Sequence, residues 1–79
     1  MKEGKMMSEY LINFKWDDEA SVWIATSDDI PGLILESGSF DALVERVRYA
    51  VPDLLEMSGI ARSNVPLHIL SERYERAYV

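Results

Sequence analysis

The chain has 79 residues, of which 48% are hydrophobic and 28% are charged, as expected for one small globular domain rather than a disordered segment. The formal net charge of −6 disfavours direct binding to nucleic acid, which depends on lysine and arginine side chains that neutralise phosphates. The absence of cysteine excludes disulfides, thiolate metal ligands and cysteine nucleophiles, and it fits a reducing compartment.

The beginning of the chain, MKEGKMM, has no apolar segment of signal-peptide length. No apolar run elsewhere approaches the roughly 20 residues that a membrane span requires. We therefore expect a cytoplasmic protein that does not insert into a membrane. Residues 1–7 are expected to form a disordered leader before one domain, within a single-domain chain of residues 1–79.

Two strands and a hairpin are predicted after the leader. Residues 9–16 alternate between apolar and polar side chains, which indicates a strand with one buried face. Residues 21–27 have high β propensity, and the polar residues 17–20 have the length of a hairpin loop. The two strands should pair antiparallel.

Proline and glycine mark the end of the second strand. Pro31 fixes its own φ and Gly32 permits a positive φ, so a turn should precede a short third strand at residues 33–36. Ser39 is then a natural N-cap, because its hydroxyl can accept a hydrogen bond from an amide of the first helical turn.

One helix and a fourth strand complete the pattern. Apolar residues recur at helical spacing from Phe40 to Leu55, Pro52 should kink the helix or separate its last turn, and Gly59 should end it. Residues 65–70 have the composition of a strand, and Pro66 favours an edge position or the start of that strand. The tail SERYERAYV is compatible with either strand or helix.

The order β-β-β-α-β predicts an α+β fold, a two-layer sandwich in which an antiparallel-rich sheet packs against one main helix. A single helix covers only one face of a sheet. We expect large side chains, including Trp23 and Leu11, on the other face, and the simplest molecule to cover them is a second copy of the chain. The sequence thus predicts a homo-oligomer.

No catalytic, cofactor-binding or metal-binding constellation is evident. Asp17-Asp18-Glu19 and Asp28-Asp29 are carboxylate clusters, but they lack the ligand spacing of a calcium loop and should lie at opposite ends of the hairpin. His68 is a lone histidine without a nucleophile and an orienting acid beside it in the pattern. The single glycine of Ile30-Pro31-Gly32-Leu33 does not make a phosphate-binding loop. We therefore expect a protein that is not an enzyme and binds no cofactor.

The segment WDDEASVWIATSDDIPGL at residues 16–33 resembles the HicB-like antitoxin family, in particular its short bacterial branch. The matching positions are Trp16, Glu19, Ala20, Val22, Trp23, Ala25, Ser27, Asp29, Ile30, Pro31, Gly32 and Leu33. The resemblance continues through Glu36, Ser39, Leu43 and the segment Pro52-Asp53-Leu54-Leu55.

The resemblance implies a partly formed ribonuclease-H-like fold and an antitoxin that blocks a small basic HicA-type mRNA-cleaving toxin. Full-length relatives usually add a C-terminal DNA-binding domain, which we expect this chain to lack. Our leading hypothesis is therefore a protein-interaction module whose acidic surface masks a basic partner, with Trp23, Asp28, Asp29 and Glu36 as contact residues.

Two alternatives remain. The chain could be a stand-alone oligomeric domain that binds a small ligand or another protein outside a toxin–antitoxin pair. It could also be a metal-dependent nuclease that uses Asp17, Asp28 or Asp29.

Overall fold

A computed structural model describes residues 9–60 and 64–78. The expected leader at residues 1–7 lies outside them. The elements are β1 (Tyr10–Asp17), β2 (Val22–Thr26), β3 (Ile34–Ser37), α1 (Phe40–Met57) and β4 (Leu67–Glu72). Among the described residues, no helix has both the length and the apolar character needed to cross a membrane.

The four strands form one sheet in the order β3-β2-β1-β4. β1 pairs antiparallel with β2, β2 pairs antiparallel with β3, and β4 pairs parallel with β1. The parallel pair is possible because α1 provides the crossover that returns the chain to the same end of the sheet. The α+β layout predicted from the sequence is therefore confirmed, and β4 lies at an edge, as Pro66 indicated.

The core lies between α1 and one face of the sheet. Its largest buried ring, Phe14, packs against Phe40 at the start of α1, with their ring centroids 4.9 Å apart. The buried core residues are Ile12, Phe14, Ala25, Ile30, Leu33, Leu43, Val47, Val51 and Leu55. Four of these come from one stripe of α1, so the helical periodicity correctly identified the covered face.

Both ends of α1 are capped by local hydrogen bonds. The Ser39 hydroxyl accepts a hydrogen bond from the amide of Ala42 at 3.2 Å, which confirms the predicted N-cap. At the other end, Gly59 has a φ of 86° and the amide of Ile60 donates to the carbonyl of Leu55 at 2.8 Å. The Gly59 amide also donates to the carbonyl of Glu56, which completes a Schellman cap.

The helix continues through Pro52 to Met57 instead of separating its last turn. Pro52 lies on the exposed side of the helix, while Val51 and Leu55 on either side of it are buried. Burial of these neighbours compensates for the amide that proline cannot donate. Of the two outcomes predicted for Pro52, a kink or a separated last turn, the second was therefore wrong.

Trp23 lies on the helix-covered side of the sheet, not on the uncovered side as expected. It pairs with Trp16 across β1 and β2, and its ring meets that of Phe40 edge-on with the centroids 5.0 Å apart. Side chains alternate along a strand, so Trp23 must share a face with Ala25, which is fully buried. The apolar run from Val22 to Ile24 hid this alternation in the sequence.

Candidate protein-binding surface

One face of the sheet is not covered by α1, and we call it the open face. It consists of side chains that alternate with the core residues along each strand. Pairing across all four strands arranges eight of them in two adjacent rows. The first row is Ile34, Thr26, Asn13 and Leu70, and the second row is Glu36, Ile24, Lys15 and Glu72.

The first row is apolar at both edges of the sheet. Ile34 is 70% exposed and Leu70 is 47% exposed, and Leu11 lies next to this row on β1 with 37% of its surface exposed. Isolated exposed apolar side chains are ordinary, but these three belong to one face of one sheet. The open face therefore combines apolar groups with small polar ones, a composition typical of a protein–protein interface that forms between stable partners.

The second row carries the charge of the open face. Glu36 and Glu72 lie at its two ends, with Lys15 and Ile24 between them. The Lys15 Nζ atom lies 4.0 Å from a carboxylate oxygen of Glu72, and both side chains are exposed, so this pair adds little to stability. The row has two carboxylates and one ammonium group, which gives this side of the sheet an acidic character.

Two of the four predicted contact residues lie in the loop after β2, at the end of the sheet near Leu11. Asp29 Oδ2 accepts a hydrogen bond from the Leu11 amide at 2.8 Å, and the Ser27 hydroxyl donates to the Leu11 carbonyl at 2.6 Å. The Asp29 amide in turn donates to the Ser27 hydroxyl at 3.0 Å. The loop thus replaces β2 as the partner of β1 beyond Thr26. Both aspartates are exposed, but only Asp29 accepts a hydrogen bond from β1.

The four predicted contact residues therefore do not form one cluster. Glu36 lies on the open face, Asp28 and Asp29 lie at the end of the sheet, and Trp23 lies on the opposite side. Sequence reasoning missed Ile34 and Leu70 as surface groups. Leu35 pairs with the buried Ala25, so both side chains lie on the covered face. Because side chains alternate along a strand, Ile34 must lie on the open face.

The acidic hairpin is a turn stabilised by its own carboxylate. Asp17 Oδ1 accepts hydrogen bonds from the amides of Glu19 and Ala20 at 3.1 Å and 3.3 Å. Asp17 and Asp29 lie at opposite ends of β1, about 20 Å apart along the strand. Within residues 9–60 and 64–78, no three histidine or carboxylate side chains come close enough to hold a metal ion.

His68 faces Glu9 at the start of β1, with 3.3 Å between its Nδ1 atom and the nearer carboxylate oxygen. Both side chains are about half exposed, with values of 55% and 52%. His68 lies on the open face because it pairs with Leu11. His68 therefore makes a contact with a carboxylate at the protein surface.

The segment after β4 is attached to the sheet by aromatic contacts. The Arg73 guanidinium lies 4.0 Å from the centre of the Trp16 ring and 5.8 Å from that of Trp23. The Tyr74 hydroxyl donates a hydrogen bond to Glu72 at 2.7 Å, and this bond, reinforced by the negative charge of the carboxylate, raises the pKa of Tyr74 above its ordinary value. Of the tail, Ser71 and Glu72 extend β4, as one of the two alternatives predicted, and residues 73–78 have no regular secondary structure.

Comparisons with known proteins agree with the extent of this domain. The family model described as a domain of unknown function, DUF1902, matches residues 9–79. The crystal structure of a hypothetical protein, TTHA1013, from the extremely thermophilic bacterium Thermus thermophilus superposes with a TM-score of 0.67 and 34% sequence identity. That similarity covers 90% of this chain and 99% of the thermophile chain. A search of curated proteins found no match.

Proposed function

The chain belongs to the DUF1902 family, a family of unknown function, and we propose that it is a non-enzymatic protein-binding domain whose open face contacts the partner. The single observation that carries this proposal is the exposure of Ile34 and Leu70 on a sheet whose other face is closed by α1. Full burial of one such side chain at an interface contributes about 1.5–3 kcal/mol in all, and the part already buried in the monomer reduces that gain. A partner that covers both residues would gain a useful share of its binding energy here.

Charge favours a basic partner. The net charge is −6, and Glu36 and Glu72 border the open face while Asp28 lies at its end. Carboxylates at the rim of a surface accelerate the approach of a basic protein and repel acidic competitors. Asp28 and Glu36 therefore remain in the proposal as rim contacts, whereas the position of Trp23 assigns it to the core side.

The resemblance to HicB-like antitoxins suggests which kind of protein the partner is. We propose that the domain binds a small basic toxin of the HicA type and masks the surface with which that toxin contacts mRNA. The absence of cysteine is compatible with the reducing cytoplasm in which such a pair would act. Neutralisation would be steric and electrostatic and would need no chemistry from this chain.

Co-expression with a small basic toxin of the HicA type tests the proposal. We expect the wild-type chain to co-purify with that protein and to restore the growth of cells that produce it. Ile34→Lys should weaken binding by about tenfold or more, because it places a bulky cation at the apolar edge of the open face. Met57→Lys is the matched control, since Met57 is 81% exposed but lies on α1. Its binding should stay near the wild-type value.

Three outcomes separate the alternatives. Absence of binding and of growth rescue would reject the toxin partner, and an oligomer without such a partner would favour the stand-alone domain. Equal weakening by Ile34→Lys and Met57→Lys would reject the open face as the contact surface. Metal-dependent cleavage of RNA by the purified chain, lost on substitution of Asp17 or Asp28, would replace the proposal with a nuclease.

A further inference from the structure

The two edges of the sheet differ in how they are protected. β3 has four residues, and Arg46 of α1 reaches across its edge to donate a hydrogen bond from Nη1 to the Glu36 carbonyl at 2.7 Å. β4 has six residues and ends the sheet on the other side. Short strands and covered edges prevent strands of other molecules from pairing. Only the β3 edge has such a cover among the described residues.

The pairing of β4 with β1 determines which backbone groups of β4 point outward. The Tyr10 amide donates to the Pro66 carbonyl at 3.0 Å, and Tyr10 lies opposite Leu67. In a parallel ladder this geometry directs the amides and carbonyls of residues 68, 70 and 72 toward β1. Those of residues 67, 69 and 71 therefore point away from the sheet. They offer a second strand a regular row of donors and acceptors.

The side chains of β4 are complementary to those of a second copy of β4 that is related by a two-fold axis. If two copies of β4 pair antiparallel with Leu70 on the axis, His68 of each copy lies opposite Glu72 of the other copy. The two Leu70 side chains then meet, and each is 47% exposed in the single chain. A register with Ile69 on the axis would instead place His68 opposite Leu70 and leave Glu72 opposite Pro66.

We infer that the β4 edge is a self-association site, at which a second copy of this chain pairs antiparallel with Leu70 on the two-fold axis and His68 opposite Glu72. The result is a continuous sheet of eight strands. About four new backbone hydrogen bonds connect residues 69 and 71 of the two copies. The open faces of both copies join into one surface, while both helices remain on the other side. This site shares Leu70 and Glu72 with the open face, but the pairing of the two strand edges does not depend on the binding of a basic partner.

Sedimentation of the purified full-length chain over a concentration series tests the inference. We expect a monomer–dimer equilibrium. His68→Glu should weaken the dimer about tenfold, because it places two carboxylates opposite each other at both symmetric positions. The double variant His68→Glu with Glu72→Lys should recover most of that loss, since a carboxylate then faces an ammonium group at both symmetric positions. Arg48→Glu is the control, because Arg48 is an exposed cation on α1 and its substitution should leave the dimer unchanged.

Ser71→Pro tests the backbone pairing itself. It removes an amide that points outward, and proline is tolerated on edge strands, so the circular dichroism spectrum should stay close to that of the wild type. The dimer should weaken by roughly tenfold to a hundredfold, because each copy loses a donor across the interface. If this variant fails to fold, the charge-swap pair still decides the question.

A wild-type chain that remains monomeric across the concentration series would overturn the inference. So would a dimer that is insensitive to both His68→Glu and Ser71→Pro. A dimer broken by Ile34→Lys but not by these variants would show that two open faces pack together instead. That result would leave toxin binding as a separate question, because the co-expression experiment measures a different complex.

Discussion

The two faces of the sheet carry similar apolar side chains but differ in how far these are exposed. On the covered face, Ile12 and Phe14 are completely buried against α1 and determine stability. On the open face, Ile34 and Leu70 keep 70% and 47% of their surface in contact with solvent. Whether an apolar residue of a strand is buried or exposed therefore depends on which face of the sheet its position in the alternation gives it. Substitutions should separate stability from binding along the same strands.

The largest expected effect is on the covered face. Phe14→Ala should lower the free energy of unfolding by about 3–5 kcal/mol, because it removes a fully buried ring that packs on Phe40 and leaves a cavity. Ile34→Ala on the open face should change it by less than about 0.5 kcal/mol. Urea denaturation of both variants measures the difference. Comparable losses of stability would mean that Ile34 is also part of the core.

A smaller effect is expected where the loop after β2 supports β1. Asp29→Ala removes the acceptor of the Leu11 amide and should cost about 1–2 kcal/mol in the free energy of unfolding. Asp28→Ala is the matched control, since Asp28 is the exposed neighbour and its carboxylate accepts no hydrogen bond from the residues that the structure describes. Its unfolding free energy should remain within about 0.5 kcal/mol of the wild-type value.

Binding should show the reverse order for these two aspartates. If Asp28 is a rim contact for a basic partner, Asp28→Ala should slow association with little change in stability. Titration calorimetry and stopped-flow measurements on the same two variants would test this. An Asp28→Ala variant with unchanged association at low ionic strength would remove this residue from the contact surface.

A further prediction concerns the aromatic end of the covered face. Arg73→Gln should lower the free energy of unfolding by about 0.5–1 kcal/mol and change tryptophan fluorescence, because the guanidinium lies over the Trp16 ring. Arg76→Gln removes a cation of the same tail and should leave the emission of both tryptophans unchanged. Equal effects of the two substitutions would indicate that the net charge of the tail matters rather than the stacking contact.

The sequence predicted the elements better than it predicted their orientation. Helical spacing identified the buried stripe of α1, and Ser39 and Gly59 identified its caps, because these signals are local. β4 begins two residues later than the proposed 65–70 segment and ends at Glu72, since register depends on pairing with β1 and not on propensity. Trp23 was assigned to the wrong face for the same reason. In a run of three apolar residues, only a paired neighbour shows which one points inward.

The candidate site was harder to predict than the fold. Glu36 was correctly expected near the third strand. The Asp29 carboxylate instead accepts a hydrogen bond from the amide of Leu11, which is 18 residues away in the sequence. The protection of one edge by Arg46 and the exposure of the other follow from the strand order, which the sequence left open. The composition of a surface depends on contacts between elements, and local sequence patterns carry little information about these contacts.

The smallest effect tests whether the tail extends the open face beyond β4. Tyr74 follows Glu72 by two residues, and its hydroxyl donates to the Glu72 carboxylate, which raises the pKa of Tyr74 above 10.0. Glu72→Gln removes the negative charge that opposes ionisation of the phenol, so the pKa of Tyr74 should fall toward its ordinary value. Alkaline absorbance titration in a Tyr78→Phe background would follow this change with less overlap, since Tyr78 is fully exposed. An unchanged titration curve would mean that Tyr74 does not stay beside Glu72 in solution, and that the open face ends with β4.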